Sequence, residues 1–185
     1  MTPQRADAVR NRARILDAAE KVLVERGTTV STEEIAKAAG VGIGTLFRHF
    51  PTKEELVRGV FEARLQRLAE DATRLAESDD PGAALATFLR QAVDQSEVKN
   101  ALAGMLTAAG LEIQSGEPQR ALREALGTLL RRAQQSGAVR QDLEVPELIG
   151  LLAGTSKAME YAGGSAPARS RILDVVLTGL RATQQ

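Results

Sequence analysis

Thr45, Arg48, His49 and Lys53 bring a hydroxyl, a guanidinium, an imidazole and an ammonium together within residues 35–53, a stretch that contains no Asp or Glu. Groups of this kind donate hydrogen bonds to phosphate oxygens, and Arg and Thr also reach the edges of bases. Their chemistry is that of holding a polyanion, not of breaking a bond. The rest of the chain offers little for catalysis. His49 is the single histidine and cysteine is absent, which excludes disulfides, thiolate metal sites and cysteine nucleophiles. Gly40-x-Gly42-x-Gly44 has neither the spacing of a dinucleotide loop nor a strand before it. The acidic pairs Asp79-Asp80 and Glu33-Glu34 sit where a loop and a helix start account for them. No enzyme, cofactor or metal is expected.

The elements that must hold these groups are short helices. Ser31 and Glu34 have capping-box spacing, in which each side chain satisfies a backbone N–H at a helix start, so a helix is expected from about Thr32. Gly40 supplies the left-handed residue that ends it. Ile35, Ala36, Val41, Leu46 and Phe50 then share a small interior, and Ile43, Gly44, Thr45, Phe47, Arg48 and His49 are left for an outward face. Pro51 stops the second helix, and Thr52 with Glu55 repeats the capping spacing. Upstream, Ile15, Leu16, Ala19, Val22 and Leu23 recur at helical spacing before Gly27. They predict a helix from about Asp7 to Arg26 with its arginine-rich start projecting as an arm.

The chain of 185 residues balances 24 basic against 24 acidic side chains, but the first 58 residues carry a surplus of two positive charges. Local basicity attracts phosphate more than net charge does. Aromatics are 3% of residues and Ala and Leu abound, which points to an all-α fold. From Lys53 an apolar stripe continues to about Glu77, long enough to join one core to another. Ser78-Asp79-Asp80-Pro81-Gly82 breaks the pattern, which resumes through Ala84 and Val93. Helices are further expected within residues 97–114, interrupted by Gly104 and Gly110, and over about Gln119–Gln135, Pro146–Tyr161 and Ala168–Thr183.

Ile35-Ala36 through Ala39-Gly40-Val41, then Gly44-Thr45-Leu46-Phe47 and His49-Phe50-x-x-Lys53-Glu54-Glu55-Leu56, closely resembles the signature of TetR-family transcriptional regulators. The likeness covers about residues 10–60; beyond them it is one of plan only. It implies a helix-turn-helix DNA-binding domain over residues 1–58 and a helical ligand-binding and dimerisation domain over residues 59–185. It also implies a homodimer whose segment Ile43 to His49 enters the major groove of a double-stranded palindromic operator. A small-molecule effector of unknown identity would release a repressor from that DNA. Under this resemblance Ser31, Thr32, Ile43, Gly44, Thr45, Phe47, Arg48, His49 and Lys53 meet DNA. Lys53 lies on phosphate beside a helix N-terminus, Thr45 on a base edge, and Arg48 on phosphate or guanine. Arg5, Arg10 and Arg12 either follow the DNA backbone or a minor groove, or form a solvated tail. Phe47 stands where the family often has tyrosine, so a phenolic donor is missing.

Phe61, Leu65, Phe88, Leu102, Met105, Leu106, Leu126, Leu152 and Met159 are the candidates for an effector pocket, with plain core packing as the competing role. Glu112, Lys99 and Lys157 are its polar anchors or else exposed charges. Leu148, Leu151, Thr155, Ile172, Leu173, Val176 and Leu180 belong to two helices that are apolar on more than one face. These residues line a dimer interface or pack as a deeply buried pair within one chain. No run approaches the ~20 apolar residues that span a bilayer, so no membrane partner and a cytoplasmic location are expected. The alternative is a helical DNA-binding or interaction protein without a small-molecule effector.

Overall fold

The structure is a computed structural model that describes residues 3–27, 29–111, 116–162 and 165–182. Among these it is all-α: α1 (Pro3–Arg26), α2 (Thr32–Ala39), α3 (Ile43–His49), α4 (Lys53–Leu75), α5 (Pro81–Asp94), α6 (Ser96–Ala108), α7 (Glu117–Gln135), α8 (Val145–Tyr161) and α9 (Ala166–Leu180). The helices group into two compact units that alternate along the chain. The first holds Met1–Arg64 and Val98–Ser115, the second Leu65–Glu97 and Gly116–Gln185.

In the first unit α1 packs on α2 and α2 on α3. Ile15, Leu16, Ala19 and Leu23 of α1, Ile35, Ala36 and Ala39 of α2, Leu46 of α3 and the following Phe50 are all buried. Each large apolar side chain withdrawn in this way contributes roughly 1.5–3 kcal/mol. Helix α1 begins four residues before the expected start at Asp7 and takes in the segment read as a projecting arm. Proline is compatible with such a start, since its fixed φ suits the first turn of a helix, where its missing N–H is not needed. Helix α6 ends at Ala108, just before Gly110, one of the two glycines expected to interrupt residues 97–114, which takes a left-handed φ of 70°. The Leu111 N–H turns back to the Leu106 carbonyl (2.9 Å) and closes the helix. Glu112 lies outside the described residues.

In the second unit α5 packs on α7 and α8, α7 on α8, and α8 on α9. Asp80 caps α5 by accepting from the Ala83 N–H (2.9 Å), and Pro81 occupies the first turn. Leu85, Phe88, Leu89, Leu126, Leu129 and Leu148 are buried, and Val93, Met159 and Leu173 form a cluster against which Leu152 and Ile172 pack. The buried hydroxyls of Thr155 and Ser156 donate to the carbonyls of Leu151 and Leu152, so neither is left unsatisfied. After α9 the chain pairs with the segment following α7. An isolated bridge joins Val139 to Arg181, the Arg140 N–H donates to Leu180 (3.0 Å) and the Ala182 N–H to Ala138 (3.3 Å).

Candidate nucleic-acid interface

Helix α2 starts where Ser31 and Glu34 cap each other. The Ser31 hydroxyl accepts from the Glu34 N–H (3.2 Å), and the Glu34 carboxylate accepts from the Ser31 N–H (3.1 Å). These Ser31 bonds, reinforced by Arg26 at 3.1 Å, hold the Glu34 carboxyl below the usual glutamate range. The helix ends at Gly40, whose φ of 64° lies in the left-handed region that favours glycine, and the Val41 N–H reaches back to the Ala36 carbonyl. Helix α3 then begins with the N–H groups of Thr45 and Leu46 on the Gly42 carbonyl.

Leu46 and Phe50 turn inward, and Ile43, Gly44, Phe47 and Arg48 form the exposed face of α3. Ile43 and Phe47, one turn apart, are 38% and 40% exposed. Thr45 and His49, one turn apart, are half-buried along its flank. The face thus joins apolar surface, suited to thymine methyls and sugars, with one guanidinium.

Around this face the cations are held by protein groups. Lys53 donates to the Val30 carbonyl (2.6 Å), and the Glu55 N–H donates to the Thr52 hydroxyl (3.1 Å), which caps α4. Thr32 lies beside Glu33, its hydroxyl 3.5 Å from the carboxylate. Arg10 pairs with Asp7. Arg12 sits over the Phe50 ring, 5.1 Å from its centroid, and Arg14 donates to the Ala39 carbonyl (2.9 Å). The side chain of Arg5 lies outside the described residues.

Two sequence signatures match this chain: that of the bacterial regulatory proteins of the TetR family over residues 15–60, and that of the SbtR-like transcriptional regulator C-terminal domain over residues 80–182. The second alone covers more than half of the chain. This protein belongs to the TetR family of transcriptional regulators. A TetR transcription regulatory protein from Mycobacterium vanbaalenii is 37% identical, with 97% of this chain and 100% of that one aligned at a TM-score of 0.78. A TetR transcriptional regulator from Streptomyces coelicolor is 32% identical, with 94% and 99% aligned at a TM-score of 0.75. An HTH-type transcriptional regulator of Staphylococcus aureus is 47% identical over 53 residues, which are 28% of this chain and 29% of that relative's length. The TetR-family assignment makes the protein a DNA-binding regulator of transcription and not an enzyme, with α2, the turn and α3 as its helix-turn-helix.

The residues expected around an effector fall into both units. Phe61, Leu102, Met105 and Leu106 belong to the first, Leu65, Phe88, Leu126, Leu152 and Met159 to the second. Seven are buried, and Met105 and Leu152 are half-buried. Within the second unit a cleft of about 910 Å³ opens between α5, residues 137–139 and the end of α9, and a groove of about 740 Å³ runs between α4 and α7; none of these nine residues lines either. Lys157 pairs with Glu160 and lies over the Tyr161 ring, a surface arrangement. Lys99 is half-buried, and desolvation together with the nearby Arg64 charge pushes its ammonium below the usual lysine range.

Of the residues expected between two chains, Leu148, Thr155, Leu173 and Leu180 are buried within one chain, and Ile172 and Val176 are half-buried. Leu151 is exposed, as are Val175 (73%) and Tyr161 (85%). The roles of Arg14 and Gly59 were not visible in the sequence, since each depends on a contact across the fold. A Cβ on Gly59 would meet the Phe50 ring at 2.9 Å and Leu16 at 3.0 Å.

Proposed function

We propose that this regulator is a homodimeric repressor that reads a palindromic operator through α3 and leaves it when a small molecule binds. The observation that carries the reading is the outward face of α3, with Ile43, Gly44, Phe47 and Arg48 exposed in a segment without acidic residues. In this reading Thr45 approaches a base edge from the flank, and Arg48 and His49 take phosphates. Lys53, Ser31 and Thr32 hold the flanking backbone. In this reading α8 and α9 of two copies pair, and the exposed Leu151, Tyr161 and Val175 lie on those helices. Residues 1–58 act as the reading domain and residues 59–185 as the sensing and pairing domain, in the cytoplasm.

Release is a population shift. The effector binds preferentially to a form in which α4 is tilted and the two reading helices no longer match successive half-sites. Helix α4 contributes residues to both compact units, which suits it to that task. The second reading, a DNA-binding protein without an effector, is favoured by the burial of seven of the nine expected pocket residues and by the absence of all nine from the lining of both clefts.

Selection of bound sequences from random duplex DNA tests the first part. The expected product is an inverted repeat with half-site centres one helical turn apart, about 34–36 Å, or a multiple of it; a single unrepeated site would overturn the dimeric reading. Titrating that complex with small molecules tests the second part. A compound that binds tightly while operator affinity stays constant would end the coupling.

A further inference from the structure

We infer that Arg12 and Arg14 are positioning residues of the reading helix, which brace the turn before it and the residue that closes it from α1 instead of contacting DNA. They lie two positions apart, so their side chains leave α1 in directions about 200° apart. Arg14 crosses to the last residue of α2 and donates to the Ala39 carbonyl at 2.9 Å. That carbonyl is one of the acceptors a helix end leaves without an internal partner, and a cation there also opposes the helix dipole. The guanidinium lies against the turn itself, because a Cβ on Gly40 would stand 3.0 Å from its Nη2.

Arg12 acts at the other end. Its guanidinium sits 5.1 Å from the centroid of Phe50, the buried residue that closes α3 by donating its N–H to the Leu46 carbonyl (2.9 Å). Helix α3 has seven residues, too few to hold a pose by its own hydrogen bonds. Its direction is therefore fixed by what binds its ends, and base readout fails when donors are displaced by a fraction of an ångström.

The inference rests on α3 as the DNA-reading helix, and salt dependence separates positioning from phosphate contact. Affinity for the duplex selected by the unmodified chain is measured against salt concentration for Arg12→Gln, Arg14→Gln and Phe50→Leu, with circular dichroism to confirm folding. The expected result is a loss on the order of tenfold for each, with the slope of log K against log salt unchanged. Phe50→Leu removes the ring without altering charge, so it reports on the Arg12 end even where an arginine variant fails to fold. Arg12→Lys and Arg14→Lys, which keep a cation at each site, recover most of the affinity. A slope reduced by about 0.9 in either glutamine variant would mean a lost phosphate contact and overturn the inference, as would unchanged affinity. The α3 reading fails by a different result, namely Thr45→Ala and Arg48→Gln leaving both affinity and selected sequence intact.

Discussion

Arg64 of α4 donates to the Glu20 carboxylate of α1 with both side chains largely withdrawn from water, at 9% and 18% exposure. The pair ties the first helix to the fourth inside the unit that carries the helix-turn-helix. Removing one member strands the other charge in a low-dielectric setting. Glu20→Gln is expected to lower unfolding free energy by about 3 kcal/mol or more, whereas Glu20→Leu with Arg64→Met recovers most of it. Urea denaturation of the parent and the two variants measures this, and a Glu20→Gln protein as stable as its parent would refute it.

The reciprocal bonds of Ser31 and Glu34 make the start of α2 sensitive to acid. Ser31→Ala should cost about 1 kcal/mol, the usual worth of an N-cap hydroxyl. Glu34 has a lowered pKa in the fold, so its contribution is full above the ordinary glutamate value of about 4.3 and is lost as pH falls through the folded value. Thermal melts of the parent and Glu34→Gln across this range should converge at the acid end. A gap that persists at low pH contradicts the assignment.

Gly59→Ala is expected to destabilise by about 1–3 kcal/mol, since its methyl group would meet the Phe50 ring and Leu16 well inside contact distance. Gly40→Ala carries a different cost of about 1–2 kcal/mol, from forcing a side chain into the left-handed region beside Arg14. Calorimetric melting of each variant decides the matter. Neither should match the parent.

Lys99→Met is expected to leave stability unchanged or to raise it by up to about 1 kcal/mol, because it removes an ammonium that burial and Arg64 both oppose. A melting temperature several degrees below that of the parent would show that the amine holds a partner the fold depends on.

The local features of this fold were legible from the chain. Ser31, Glu34 and Gly40 fixed α2 because capping and left-handed termination depend on residues within one helix length, whereas α3 was bounded by the glycine turn before it and Pro51 after it. The start of α1 lies four residues before the expected Asp7, because an arginine-rich segment reads equally well as a tail and as a helix. Contacts between distant residues left no such trace. Arg14 reaches a carbonyl 25 positions away, and Val139 pairs with Arg181 through a register that no periodicity announces. For the effector residues, apolar type and helical spacing are the same in a packed core as in a pocket wall, so composition could not sort one from the other.

The alternation of the two units along the chain has a consequence for synthesis on the ribosome. Residues 1–64 emerge first, yet their unit is completed by residues 98–115, after the whole of 65–97 has been made. At about 5–20 residues per second, several seconds separate the synthesis of residue 64 from that of residue 115. A fragment ending at Arg64 would lack residues 98–115 of that unit.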